Sequence, residues 1–155
     1  MKAKYMLYDF DGVMTDNTVL VSEKGEEQVR VNRSDGLAIS YFKNLGFEQF
    51  ILSTEKNSVV SQRANKLKIE CFQGETNKLK KLKEIMNKLG AKKSEIIYVG
   101  NDLNDLEIIN YLENTFCPSD SHEKILEKAK VILEQKGGNG VIMALYNYME
   151  NQKNE

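Results

Sequence analysis

Short apolar runs recur along the chain, each closing on a polar or glycine-containing turn. They are Tyr5-Met6-Leu7-Tyr8, Phe50-Ile51-Leu52-Ser53, Glu70-Cys71-Phe72, Ile96-Ile97-Tyr98-Val99, Thr115-Phe116-Cys117 and Val131-Ile132-Leu133. Continuous runs of this length between turn signals predict strands buried on both faces. Between them the period changes. Leu37, Ile39, Tyr41, Phe42 and Leu45 recur at helical spacing, as do Val59, Val60, Ala64 and Leu67 in a helix that Glu55-Lys56-Asn57 is expected to open, with Glu55 in its first turn, and then Leu79, Leu82, Met86 and Leu89. Further helices are predicted over 106–112, from Ile125, and over 141–149. Alternating strands and helices predict an α/β fold: a three-layer sandwich about a mainly parallel, Rossmann-like sheet.

One segment breaks the alternation. Thr18-Val19-Leu20-Val21 and Gln28-Val29-Arg30-Val31 flank Ser22-Glu23-Lys24-Gly25-Glu26. This predicts a β-hairpin inserted after the first strand. An isolated hairpin is marginal in water, so its β-branched residues call for a partner. Next, Ser34 or Asp35 can N-cap a helix that Gly46 can end; the same polar loop could instead line a pocket.

The length of 155 residues fits one domain, drawn here as residues 1–150 with a polar tail over 151–155. A formal charge of -1 gives no footprint for nucleic acid. No apolar run approaches the roughly 20 residues of a membrane span. The first strand ends by Asp9, which leaves no room for a signal peptide. Cys71 and Cys117 sit in strand-like runs and read as free thiols of a reducing compartment, so the expected location is the cytoplasm. His122, the only histidine, reads as a loop or helix-start residue.

The chemistry gathers where strands end. Asp9 and Asp11 follow the first run directly, and Gly12 follows them. Residues i and i+2 of an extended chain point the same way, so both carboxylates can face one small volume. Crowded like charges favour a cation, and Mg²⁺ takes oxygen ligands and bridges to phosphate. One carboxylate can then attack while the other handles protons. Ser53 ends the second strand, where a hydroxyl suits a phosphate oxygen. Lys78 stands at a helix start, the end that disfavours cations unless an anion is near. Asn101 and Asp102 follow the fourth strand and could complete a metal site with Asp9 and the Asp11 carbonyl, while Asp105 can orient Lys78 or cap the next helix. Gly137-Gly138-Asn139-Gly140 between strand and helix lacks the pattern of a nucleotide loop.

These residues, in this order, resemble the haloacid-dehalogenase superfamily. DFDGVMTD is similar to the DxDGVxTD motif of its capless branch, the phosphatases of phosphorylated 3-deoxy-2-keto sugar acids. The resemblance implies Asp9 as nucleophile, Asp11 as general acid and base, Ser53 and Lys78 as phosphate-site residues, and Mg²⁺ as cofactor. QGETNKL matches the branch's QGxxxKL. STEKNSVVSQRANKLK is similar to enzymes acting on nine-carbon, sialic-acid-like 9-phosphates, which implies Glu55, Arg63 and Lys66 as sugar-selecting residues. The octulosonate 8-phosphate phosphatases typically carry Arg where Glu55 stands, and they form the alternative. A further alternative is the non-catalytic oligomerisation domain fused to some acylneuraminate cytidylyltransferases. A receiver domain fits less well, because its acidic residues and phospho-acceptor belong to different strands. The family pattern GDDxxD is departed from: Asn101 stands at its first Asp. The branch lacks a cap domain, and the resemblance implies a homotetramer in which the hairpin packs against its copies and the terminal GGxG closes over a neighbouring subunit's site.

Overall fold

The computed structural model describes residues 2–153. In chain order, β1 (Tyr5–Tyr8) leads to a short antiparallel pair, β2 (Leu20–Val21) and β3 (Glu27–Gln28). There follow α1 (Arg33–Asn44), β4 (Glu48–Leu52), α2 (Val59–Leu67), β5 (Glu70–Phe72) and α3 (Lys78–Leu89). β6 (Ile96–Val99), α4 (Leu106–Tyr111), β7 (Asn114–Cys117), α5 (Glu123–Leu126), β8 (Val131–Ile132) and α6 (Val141–Lys153) complete the chain.

The main sheet has six strands in the order β5-β4-β1-β6-β7-β8, and every pairing in it is parallel. Side chains of each strand alternate between two cores. Met6, Tyr8, Ile51, Ile97 and Val99 face the layer of α1, α2 and α6. Leu7, Phe50, Leu52, Ile96 and Tyr98 face α3, α4 and α5. Burying each of these aliphatic side chains contributes about 1.5–3 kcal/mol. This is the expected three-layer sandwich, with no second domain among the described residues.

The strand order runs outward in opposite directions from β1 and β6. That reversal opens a crevice beyond the carboxyl ends of those strands. β1 ends at Tyr8 and β6 at Val99, so Asp9, Asp11 and Asn101 fall at the crevice.

Several boundaries differ from the sequence pattern. The hairpin pairs over two residues per strand, with one further bridge between Thr15 and Val31. α1 starts at Arg33 and is capped by Asn32, whose side chain accepts from Ser34 N, so neither Ser34 nor Asp35 is its N-cap. α2 begins at Val59, and Glu55 therefore stands in a loop rather than in a first helical turn. α6 continues through Lys153, into the segment expected to be a tail; Asn154 and Glu155 lie outside the described residues.

Candidate active site

Strand parity carries Asp9 to its partner. Leu7 faces α3, so the next residue on that side, Asp9, also turns toward it. Lys78 is the first residue of α3, set there by Asn77, whose side chain accepts from Lys80 N. Lys78 Nζ lies 2.7 Å from Asp9 Oδ1 and 2.7 Å from Asp105 Oδ1. Asp9, Lys78 and Asp105 are all buried. Asp105 spends both oxygens on this arrangement. Oδ1 also accepts from the Tyr98 hydroxyl, and Oδ2 accepts from Asn101 N at 2.8 Å and Asp102 N at 3.2 Å. An ammonium between two carboxylates leaves one negative charge out of water, where the unpaired charge favours a further cation.

The ionisation of these groups follows. Burial, and then the Asp105 charge, push the Asp9 carboxyl up, while Lys78 opposes them. Burial alone would lower Lys78, but Asp9 and Asp105 carry it above its ordinary value, so it remains an ammonium. Asp11 is half-buried; burial first, and then Glu55, push its carboxyl up.

Beside this pair stands a ring of oxygen-bearing groups. The inward atom of the Asn101 side-chain amide lies 2.9 Å from the Asp11 carbonyl oxygen and 3.0 Å from Asp9 Oδ2. Neighbouring oxygens around an octahedral Mg²⁺ at about 2.0–2.1 Å are about 2.9 Å apart. With the amide oxygen inward, Asn101 therefore stands at the spacing of a neighbouring ligand from both the Asp11 carbonyl oxygen and Asp9 Oδ2. Among the described residues no cluster of three His, Cys, Asp or Glu side chains could hold a metal. This constellation instead uses one carboxylate, one backbone carbonyl and one amide, and hard oxygen donors suit Mg²⁺. Asp102 is turned away, its Oδ1 accepting from Leu103 N at 2.7 Å. Gly12 makes the ring possible: it adopts φ +82°, and a Cβ there would stand 2.0 Å from the Asn101 amide.

Ser53 is buried just past β4, next to β1 in the sheet, with Oγ accepting from Glu55 N at 3.1 Å. Its hydroxyl proton is left to donate. Glu55 Oε1 accepts from Lys56 N at 2.7 Å and Asn57 N at 2.8 Å. Glu55 and Asp11 line one cleft of about 250 Å³, with Asn17, Thr18, Glu27 and Val29 from the hairpin side.

Three comparisons with known proteins bear on this arrangement. Residues 41–145 match the family model of haloacid dehalogenase-like hydrolases. The chain belongs to the haloacid dehalogenase-like hydrolases. Its 3-deoxy-D-manno-octulosonate 8-phosphate phosphatase relative from Yersinia pestis is 28% identical, over 90% of this chain and 75% of that one. A HAD family hydrolase from Streptomyces avermitilis superposes with TM-score 0.92 at 35% identity, over 95% of this chain and 84% of that one. The octulosonate 8-phosphate phosphatase of Moraxella catarrhalis, in complex with magnesium ion, phosphate ion and KDO, superposes with TM-score 0.93 at 26% identity, over 99% and 88%.

In this haloacid dehalogenase-like hydrolase the remaining candidate residues lie apart from the cleft. Asp35 is buried, and its Oδ1 accepts from Ile142 N at 2.9 Å and Met143 N at 3.2 Å, so it caps α6. Ser34 Oγ donates to Asn32 Oδ1 at 2.7 Å and lies where a Cβ on Gly140 would press. Arg63 Nη2 donates to the Asn32 carbonyl at 3.1 Å, while its Nε and Asp35 Oδ2 are buried without a hydrogen-bond partner. Lys66 is exposed on α2. None of these four lines the cleft beside Asp11.

The glycine turn before α6 packs on its own chain. Gly138 N donates to Val13 O at 3.0 Å, and a Cβ on Gly137 would stand 2.2 Å from Gly12 O. It therefore buttresses the loop that carries Asp11. Sequence reasoning passed over Tyr98, the one aromatic in β6, whose buried hydroxyl needs a partner. It also passed over Glu27, whose Oε2 accepts from Asn57 Nδ2 at 3.2 Å across the cleft mouth. A solvent-facing hairpin glutamate carries no such signal.

Proposed function

We propose that this chain is a Mg²⁺-dependent phosphatase of phosphorylated 2-keto-3-deoxy sugar acids, with a nine-carbon 9-phosphate as preferred substrate. The observation that carries the phosphatase reading is the buried Asp9–Lys78–Asp105 arrangement beside an oxygen-lined place for a cation. That geometry also speaks against a purely oligomerising domain, which would have no need of a buried charge triad.

In this reading Asp9 Oδ1 attacks phosphorus, and the bond from phosphorus to the sugar oxygen breaks. Asp11 gives its proton to the leaving alcohol, a role that its raised carboxyl suits. Asp11 then takes a proton from water, which attacks the aspartyl phosphate and frees Asp9 and inorganic phosphate. Lys78 offsets charge at Asp9 and the phosphoryl group, and Ser53 donates to a phosphoryl oxygen. Asp9, the Asp11 carbonyl and Asn101 would hold Mg²⁺, with Asp102 as outer support. When bound, the ion supplies positive charge to the phosphoryl oxygens.

The nine-carbon preference rests on Glu55, a carboxylate at the cleft where hydroxyls of a long sugar tail can donate to it. A second reading, the octulosonate 8-phosphate, is favoured by the named activity of the relatives. Arg63, Lys66 and Ser34 would act from outside this cleft, on the substrate of a neighbouring copy in a homotetramer, whereas Asp35 is buried as the cap of α6. The exposed Val19, Leu20 and Val21 of the hairpin give that assembly its surface.

The test is turnover of both keto-acid phosphates and of a small phosphate ester, with Mg²⁺ present. Glu55→Gln keeps an acceptor for Lys56 N and Asn57 N but loses the charge. A charged hydrogen bond contributes about 1.5–3 kcal/mol, so kcat/KM on the nine-carbon substrate should fall about 10-fold or more, with the small ester unaffected. Equal loss on all three substrates would remove Glu55 from sugar recognition.

A further inference from the structure

We propose that Asn101 serves the metal site in both of its states: its amide nitrogen closes the metal-free site, and its amide oxygen ligates the ion. The inference rests on the Mg²⁺ reading above and deepens it.

The geometry is unusual in needing only one small motion. The inward amide atom is 2.9 Å from the Asp11 carbonyl oxygen and 3.0 Å from Asp9 Oδ2. With nitrogen inward, two N–H groups meet two acceptors and both hydrogen bonds form. With oxygen inward, that oxygen faces two other oxygens with no proton between them, an arrangement that a cation would hold together. The two orientations differ by a half-turn about χ2, a soft and nearly two-fold torsion. The heavy atoms keep their places while nitrogen and oxygen exchange.

The rest of the residue is pinned. Asn101 N donates to Asp105 Oδ2 at 2.8 Å, and Asn101 O accepts from His122 N at 2.9 Å. The side chain is buried, and its outer edge fills the space over Gly12, where a Cβ would stand 2.0 Å away. Loading therefore requires no backbone rearrangement.

An aspartate at this position could not play both parts. Ionised, it would set a third oxygen against Asp9 Oδ2 and the Asp11 carbonyl with nothing to donate. It would also place Asp9, residue 101 and Asp105 around the single ammonium of Lys78. The amide gives up one unit of ligand charge, and so metal affinity, in exchange for a metal-free site whose hydrogen bonds are made.

The test is Asn101→Asp, compared with the unsubstituted protein by thermal unfolding in chelator and by Mg²⁺ titration calorimetry. The variant should melt lower without metal, by roughly 4 °C for one lost and repelling contact set in a chain of this size. It should bind Mg²⁺ about 10-fold tighter or more, because an added charge contacts the ion. In the unsubstituted protein, the side-chain NH₂ resonances of Asn101 should show slowed exchange without metal and lose it on loading. An unchanged or raised metal-free melting temperature, or equal or weaker Mg²⁺ binding, overturns the proposal. Should neither protein bind Mg²⁺, the metal reading falls and this proposal with it; should both bind equally, only the role of Asn101 falls.

Discussion

At the scale of single residues, the charge pair was legible because strand parity and helix polarity are local rules. Asp9 after an apolar strand and Lys78 at a helix start each asked for the other, and they meet at 2.7 Å. Asp35 was not legible. Its neighbours are those of a helix cap, yet its carboxylate serves a helix 107 residues later. No window of local sequence contains that partner. The consequence is a pH dependence. Burial pushes the Asp35 carboxyl up to about 6, against the Met143 and Ile142 N–H groups and Arg63, which hold it down. A raised carboxyl means that the folded chain holds the proton more tightly than the unfolded one. Stability from this residue is therefore greatest below the unfolded value of 3.8 and is lost as pH rises toward 6. Asp35→Asn removes the charge and keeps an acceptor for α6. Its melting temperature relative to the unsubstituted protein should rise between pH 4 and pH 7, by roughly 5 °C. A relative value that stays flat or falls over that range would contradict the assignment of Asp35 as a buried, ionising cap.

At the scale of elements, the six sheet strands were readable from their apolar runs, and their boundaries moved little. The hairpin was readable in kind but shorter in pairing: it pairs over Leu20–Val21 and Glu27–Gln28 beside its turn, and its base is joined by the single bridge of Thr15 to Val31. The start of α2 was misplaced. Glu55 resembles a first-turn acid, but its carboxylate satisfies the backbone N–H groups of the next two residues and holds them outside the helix. That side-chain competition with helix formation is invisible to periodicity. The outer hairpin presents Val19, Leu20 and Val21 at 49%, 69% and 57% exposure, a run of adjacent exposed apolar side chains that suits an interaction surface. In the proposed homotetramer these residues are covered. Leu20→Glu should dissociate the assembly by light scattering and lower turnover of a keto-acid phosphate more than that of a small ester. A monomeric, fully active unsubstituted protein at assay concentration would contradict the assembly.

At the scale of the whole molecule, alternation alone gave an α/β sandwich but not the order of its strands. Strand order is a non-local property, and six parallel strands can be wound in several ways. The observed reversal between β1 and β6 is what brings Asp9, Asp11 and Asn101 to one crevice from segments ninety or more residues apart. The flanking layers then deliver Lys78 from one side and the glycine turn from the other. The central claim is that this crevice transfers a phosphoryl group to Asp9. The most direct measurement is mass spectrometry of protein rapidly quenched in acid during turnover of a keto-acid phosphate with Mg²⁺. One phosphoryl group should be found on the peptide that carries Asp9, and none in Asp9→Asn, which should not turn over. Near-normal turnover by Asp9→Asn, or a phosphoryl group on any other residue, would contradict the account.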